Sequence, residues 1–107
     1  MYAITGTGQI AINKKFVLTG RVYGRETGFI VLRYTNASNK WIYDTAYLKN
    51  GKFRFGGEIN EPTVAIISGK KKEIDFDEVN YVNIFLEPDS QHVDLTENDY
   101  IHAKVTG

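Results

Sequence analysis

Cysteine is missing from this 107-residue chain, and there are only two prolines, one tryptophan and one methionine. Without cysteine, disulfides, zinc–thiolate sites and thiol catalysis are excluded within the chain, although the compartment stays open. No stretch approaches the roughly 18 apolar residues of a membrane span. The first residues, MYAITGTGQIAINKKF, lack the basic and apolar regions of a signal peptide. An excess of one charge is missing too. Thirteen Lys+Arg balance thirteen Asp+Glu, so no net field draws the chain toward nucleic acid or anionic lipid.

What is present points to strands. Aromatics make up 13% of the chain, with seven Tyr and six Phe, and such residues favour pleated, half-buried surfaces. Residues 1–14 are small and polar and are expected to form a flexible leader or an appended tag. From Lys15 the pattern has period two: Phe16, Leu18 and Val22 alternate with Val17, Thr19 and Arg21, and Gly20 is placed to bend the strand. Gly24 to Gly28 forms a polar turn and Phe29 to Tyr34 a second strand. Asn36-Ala37-Ser38 matches a glycosylation sequon, but the surrounding residues are turn formers and predict a turn.

Asn50-Gly51 is the preferred pair for a type I′ turn. Placed at a hairpin tip, it predicts a ladder in which Lys49 faces Lys52, Leu48 faces Phe53, Ala46 faces Phe55 and Ile42 faces Ile59. On the other side Tyr47 then meets Arg54, Tyr43 meets Glu58 and Trp41 meets Asn60. Gly56-Gly57 is expected to release the second strand before Glu61-Pro62 turns it. Thr63 to Ser68 holds an unbroken apolar run that predicts a strand covered on both faces. Residues 69–78 are charged, with signs that nearly cancel, and are expected to form a long loop or excursion. Asn80 to Glu87 and Gln91 to Thr96 are further strands separated by Pro88-Asp89, and Ile101, Ala103 and Val105 mark a last one. One domain of 15–107 is therefore expected, an all-β antiparallel sandwich of seven or eight short strands, with a partly closed barrel as the alternative.

Chemistry is harder to find. If a five-residue loop joins the last two strands, His102 faces Asp94 and His92 faces Lys104, with no third ligand for a metal. Glu73, Asp75, Asp77 and Glu78 lack the spacing of a calcium loop, and Ser68-Gly69-Lys70 lacks the rest of a phosphate loop. No catalytic residues, metal or cofactor are expected. Asp44 falls on the apolar side of the predicted hairpin, opposite Gly57. Its carboxylate needs hydrogen bonds, a sheet edge or a bulge there, so its expected role is structural, with Asn50, Gly51, Gly57, Pro62 and Pro88. Trp41, Tyr43 and Tyr47, with Arg54 beside them, form a polar-tipped aromatic stripe. It suits docking to a protein or, alternatively, binding of a glycan as an independent module.

The segments FVLTGRVYG (16–24), WIYDTAYLKNGKFRFGGEINEPTVAII (41–67), NIFLEPDSQHVDLT (83–96) and KVTG (104–107) resemble an uncharacterised family. It is the N-terminal domain of unknown function that precedes the thioredoxin-fold domain in Bacteroidetes thiol:disulfide interchange and peroxiredoxin-like proteins. The resemblance spans about residues 15 to 107, and Asp89 stands where the family usually has glycine. It implies an extracytoplasmic (periplasmic or envelope) β-domain with no catalytic residues of its own. Its expected partner is a C-terminal thioredoxin-fold domain of the same polypeptide or another protein, and it could also dimerise. The complete protein is expected to continue past Gly107 into a redox Cys-x-x-Cys domain.

Overall fold

The computed structural model describes residues 14–69 and 80–107. They form eight strands: β1 (Lys14–Tyr23), β2 (Phe29–Thr35), β3 (Trp41–Tyr47), β4 (Lys52–Ile59), β5 (Thr63–Ser68), β6 (Tyr81–Leu86), β7 (Ser90–Thr96) and β8 (Lys104–Thr106). These make two four-stranded sheets packed face to face, with orders β4-β1-β7-β8 and β3-β2-β5-β6. The barrel alternative is set aside, because each sheet keeps two open edges. Most neighbours are antiparallel, but β1 and β7 run parallel, with Thr19 beside His92 and Arg21 beside Asp94. Much of the leader and most of the charged loop lie outside the described residues, and Lys14 already belongs to β1.

Period two decides which side chains turn inward. Phe16, Leu18 and Val22 from β1 meet Ile30, Leu32 and Tyr34 from β2 across the core, joined by Phe53, Phe55 and Ile59 from β4. Two glycines permit close aromatic packing. A Cβ on Gly20 would overlap the Phe53 ring, and one on Gly57 would overlap the Tyr34 hydroxyl and lie 2.9 Å from the Phe16 ring. Phe16 and Tyr34 meet edge to face, with centroids 5.1 Å apart, an arrangement the ring quadrupoles favour. Gly57 is therefore a packing residue, and β4 continues past it to Ile59 without being released.

The Asn-Gly turn forms as expected, but the ladder beyond it does not. Asn50 and Gly51 both hold positive φ, at 53° and 76°. Lys49 and Lys52 exchange two backbone hydrogen bonds of 3.0 Å. There the pairing stops, because β3 joins β2 in one sheet while β4 joins β1 in the other. The predicted pairs Leu48–Phe53, Ala46–Phe55, Ile42–Ile59 and Tyr47–Arg54 are corrected accordingly. Their apolar members face one another through the core instead of lying side by side. The legs part because each has a partner waiting: the Leu48 N–H donates to the Gly28 carbonyl and the Val22 N–H to the Gly51 carbonyl, both at 2.8 Å.

Other junctions carry the chain between sheets. Pro62 lies between β4 and β5, and Pro88 between β6 and β7, each where the chain changes sheet. Asp89 needs no positive φ and accepts the Ser90 N–H on its carboxylate at 2.8 Å. Asn36 accepts the Ser38 and Lys40 N–H groups, each at 2.9 Å, which makes the sequon segment a side-chain-closed turn. Arg25 grips Glu97 through Nε at 3.1 Å and Nη2 at 2.7 Å, tying the β1–β2 corner to the end of β7.

Two strands differ from expectation. The β5 run is not covered on both faces, since Ala65 and Ile67 are buried while Val64 is 53% exposed. The last strand is only Lys104–Thr106, because Tyr100–His102 form a 3₁₀ turn that sinks Tyr100 fully into the core.

A substitution at the crossing turn separates its backbone role from the ladder that is not there. Gly51→Val meets both a left-handed backbone and the Arg25 carbonyl, which lies 3.0 Å from where Cβ would sit. It should lower unfolding free energy by about 2 kcal/mol or more in denaturant titration. Gly56→Ala, where Cβ would lie 3.6 Å from the Phe16 carbonyl, should stay within about 0.5 kcal/mol.

Candidate functional site

Alternation along β3 turns Trp41, Tyr43, Thr45 and Tyr47 outward, away from the core. Ladder register extends this row across the sheet: Phe29 lies beside Tyr47, Arg33 beside Tyr43, and Thr35 beside Trp41. The Arg33 guanidinium sits over the Tyr43 ring, 4.7 Å from its centroid. Phe29 and Tyr47 meet edge to face at 6.3 Å. At the far side of the same sheet, Val64 pairs with Phe85, and both are more than half exposed. Trp41 is 61% and Tyr47 74% exposed. One sheet face therefore presents a tryptophan, two tyrosines, a phenylalanine and a valine to solvent.

Arg54 is not part of this face. Its register partner is Thr19 on β1, which places it on the outer side of the opposite sheet. Arg54 and Tyr47 meet only as residues lining an open cleft of about 700 Å³ between the β3 and β4 edges. The cation beside the aromatic stripe is Arg33, which alternation along β2 could have suggested once β2 was known to neighbour β3.

Asp44 lies at a sheet edge, on the inner side of β3. It is half-buried, and its Oδ1 accepts the Thr45 N–H at 2.9 Å. Its register partner Leu32 is two residues from Tyr34, so the carboxylate stands diagonally near that buried phenol. The Tyr34 hydroxyl is pushed above its usual range, first by burial and then by the Asp44 charge.

The histidines take partners other than those expected. The register pairs Asp94 with Lys104 and His92 with Thr106, while His102 bonds Asp99 Oδ1 at 2.7 Å within the 3₁₀ turn. His92 instead stands between two outward neighbours. Nδ1 is 3.0 Å from Thr19 Oγ1, and Nε2 is 2.9 Å from Asp94 Oδ1. This hydroxyl–imidazole–carboxylate line went unseen in the sequence. Alternation put His92 and Asp94 on one face, but nothing local placed β1 beside β7. The His92 and Asp94 side chains are well exposed, and the Thr19 hydroxyl also contacts the Gln91 carbonyl, donating to it at 3.4 Å. On a flat, wet sheet the Asp94 carboxylate orients the imidazole.

The model of a domain of unknown function, DUF4369, matches residues 16–107. The chain belongs to the DUF4369 family. No curated protein and no solved structure matches it. Among the described residues of this DUF4369 domain, no helix is long and apolar enough to cross a membrane.

The Tyr34–Asp44 arrangement predicts alkaline destabilisation of the DUF4369 domain. The unfolded chain releases the tyrosine proton near pH 10, whereas the folded chain holds it to higher pH. This contribution is complete below about pH 10 and is lost as pH rises through the folded value. The denaturation midpoint should fall more steeply above pH 10 in the native chain than in Tyr34→Phe. Asp44→Asn should show a fall of intermediate steepness, and identical profiles for all three would refute the coupling.

Proposed function

We propose that this domain is a non-catalytic interaction module, accessory to a thiol–disulfide oxidoreductase of the bacterial cell envelope. The observation that carries the reading is the outer face of the β3-β2-β5-β6 sheet, where Trp41, Tyr43, Tyr47, Val64 and Phe85 stand exposed together. Soluble domains rarely leave such a set of large apolar groups on one surface unless something docks there. Tyr43 under Arg33 and Tyr47 against Phe29 are already ordered, which lowers the entropy cost of docking. The thioredoxin-fold domain of the same polypeptide is the proposed occupant. The likeness of residues 16–24, 41–67 and 83–96 to domains that precede such a unit supports this choice. It supports an extracytoplasmic location as well. Neither a metal nor a bound cofactor enters the proposed role.

The complete reading frame should continue into a Trp-Cys-x-x-Cys segment. The thioredoxin-fold domain it encodes, titrated into isotope-labelled chain, should shift the Trp41 indole and the Tyr43 and Tyr47 amides. Trp41→Ala should weaken that binding by roughly tenfold or more, since an exposed aromatic anchor commonly contributes over 1 kcal/mol. Its stability should change by less than about 0.5 kcal/mol. A frame without that segment, or shifts confined to other surfaces, would overturn the reading. Shifts at Trp41 and Tyr43 on titration with a glycan panel would favour a glycan-binding module instead.

A further inference from the structure

The flank where β3 and β4 run as edges has its own hydrogen-bond phase. The Val22 N–H donates to the Gly51 carbonyl, so odd-numbered residues of β4 face β1 and even-numbered ones face the open side. Two further bonds agree with that phase. Lys52 spends both its N–H and its carbonyl on Lys49, and the Glu58 carbonyl accepts the Ala37 N–H at 2.9 Å. Between these closed ends, the N–H and carbonyl groups of Arg54 and Gly56 have no partner among the described residues. The window is centred on Phe55.

The fold does not require a glycine at 56. Its φ is not positive, and a Cβ there would make only an ordinary contact. Gly56 is exposed, unlike Gly20 and Gly57, whose missing side chains make room for core rings. A glycine on an open strand edge lets another backbone and its side chains come close.

We propose that β4 pairs antiparallel with β4 of a second copy of this chain, about a two-fold axis at Phe55. Arg54 then lies opposite Gly56 of the second copy, and Gly56 opposite its Arg54. Four backbone hydrogen bonds form, using the four open groups of each window. The same register sets Lys52 against Glu58 of the second copy, twice, on the outer face. Lysine and arginine on an edge usually deter strand addition. Here the matching glutamate converts deterrence into attraction. Sliding one copy so that Arg54 meets Arg54 would oppose like charges. Sliding the other way would centre the ladder on Gly56 and demand the Glu58 carbonyl, which Ala37 already occupies. β3 on the same flank is a blunted edge, with the half-buried Asp44 carboxylate covering the Thr45 N–H.

The window is short, so self-association should be weak and reversible, in the range of roughly 10 µM to 1 mM. Sedimentation equilibrium should show a monomer–dimer equilibrium, and amide exchange at Arg54 and Gly56 should slow as concentration rises. Lys52→Glu or Glu58→Lys should each weaken the dimer by roughly tenfold, since two symmetry-related pairs become like-charged. The double exchange Lys52→Glu with Glu58→Lys should restore it. Either single variant suffices if the other fails to fold, and circular dichroism checks both. A strict monomer up to about 1 mM, or failure of the double exchange to restore a dimer that the single variants weakened, would overturn the proposal. So would a dimer whose exchange protection falls on β3 or on the Trp41 face. Dimerisation here and docking at Trp41 involve different residues, so either can fail alone.

Discussion

The structure depends on the way the chain leaves one sheet for the other at Asn50-Gly51. A two-residue turn with both residues left-handed normally zips its flanking strands together. Here the two hydrogen bonds between Lys49 and Lys52 are the whole of that ladder. The Leu48 N–H has gone to Gly28, and the Gly51 carbonyl has taken the Val22 N–H. Competition for partners therefore opens the hairpin. Because it opens, β3 and β4 become the two edges of one flank, and the aromatic row and Arg54 end on opposite sides of the molecule. The exposed face, the cleft and the open backbone window all follow from that parting.

Much of this was legible in the residues, and the illegible part has a single physical origin. Alternation names the inward face of a strand but says nothing of what lies beside it. Phe53, Phe55, Ile59, Ile42, Ala46 and Leu48 were all correctly assigned to one apolar surface. Whether that surface belonged to one sheet or to two facing sheets leaves the same pattern. The turn chemistry was legible too, since positive φ at Asn50 and Gly51 is a local property. Pairing is not local: β1 finds β7 some seventy residues away, and that contact creates the Thr19–His92–Asp94 line.

The smaller misreadings have related causes. Val64 looked like a core residue because an apolar run carries no sign of which members face out. Ile101 looked like a strand residue because a 3₁₀ turn of three residues has no period to detect. Asp44 was the opposite case. A carboxylate on an apolar face restricts the positions a strand can occupy, and the edge satisfies it, with solvent access and the adjacent Thr45 N–H.

The two edges of the open flank are treated differently by the sequence, and the difference bears on assembly. β3 carries an inward charge and a capped donor, both of which oppose strand addition. β4 carries an unneeded glycine within a window that is open among the described residues, with Lys52 and Glu58 equidistant from its centre at Phe55 along the chain. An edge under pressure only to remain unpaired would have no use for that symmetry. The aromatic face lies on a sheet surface and the window lies at a sheet edge, so occupying one leaves the other open. A domain built this way can hold a copy of itself through backbone hydrogen bonds while each copy presents its own Trp41, Tyr43 and Tyr47 face to a partner. Pairing through β4 would double the number of such faces without altering either one, which is the arrangement that gives a weak docking surface the benefit of two attachments.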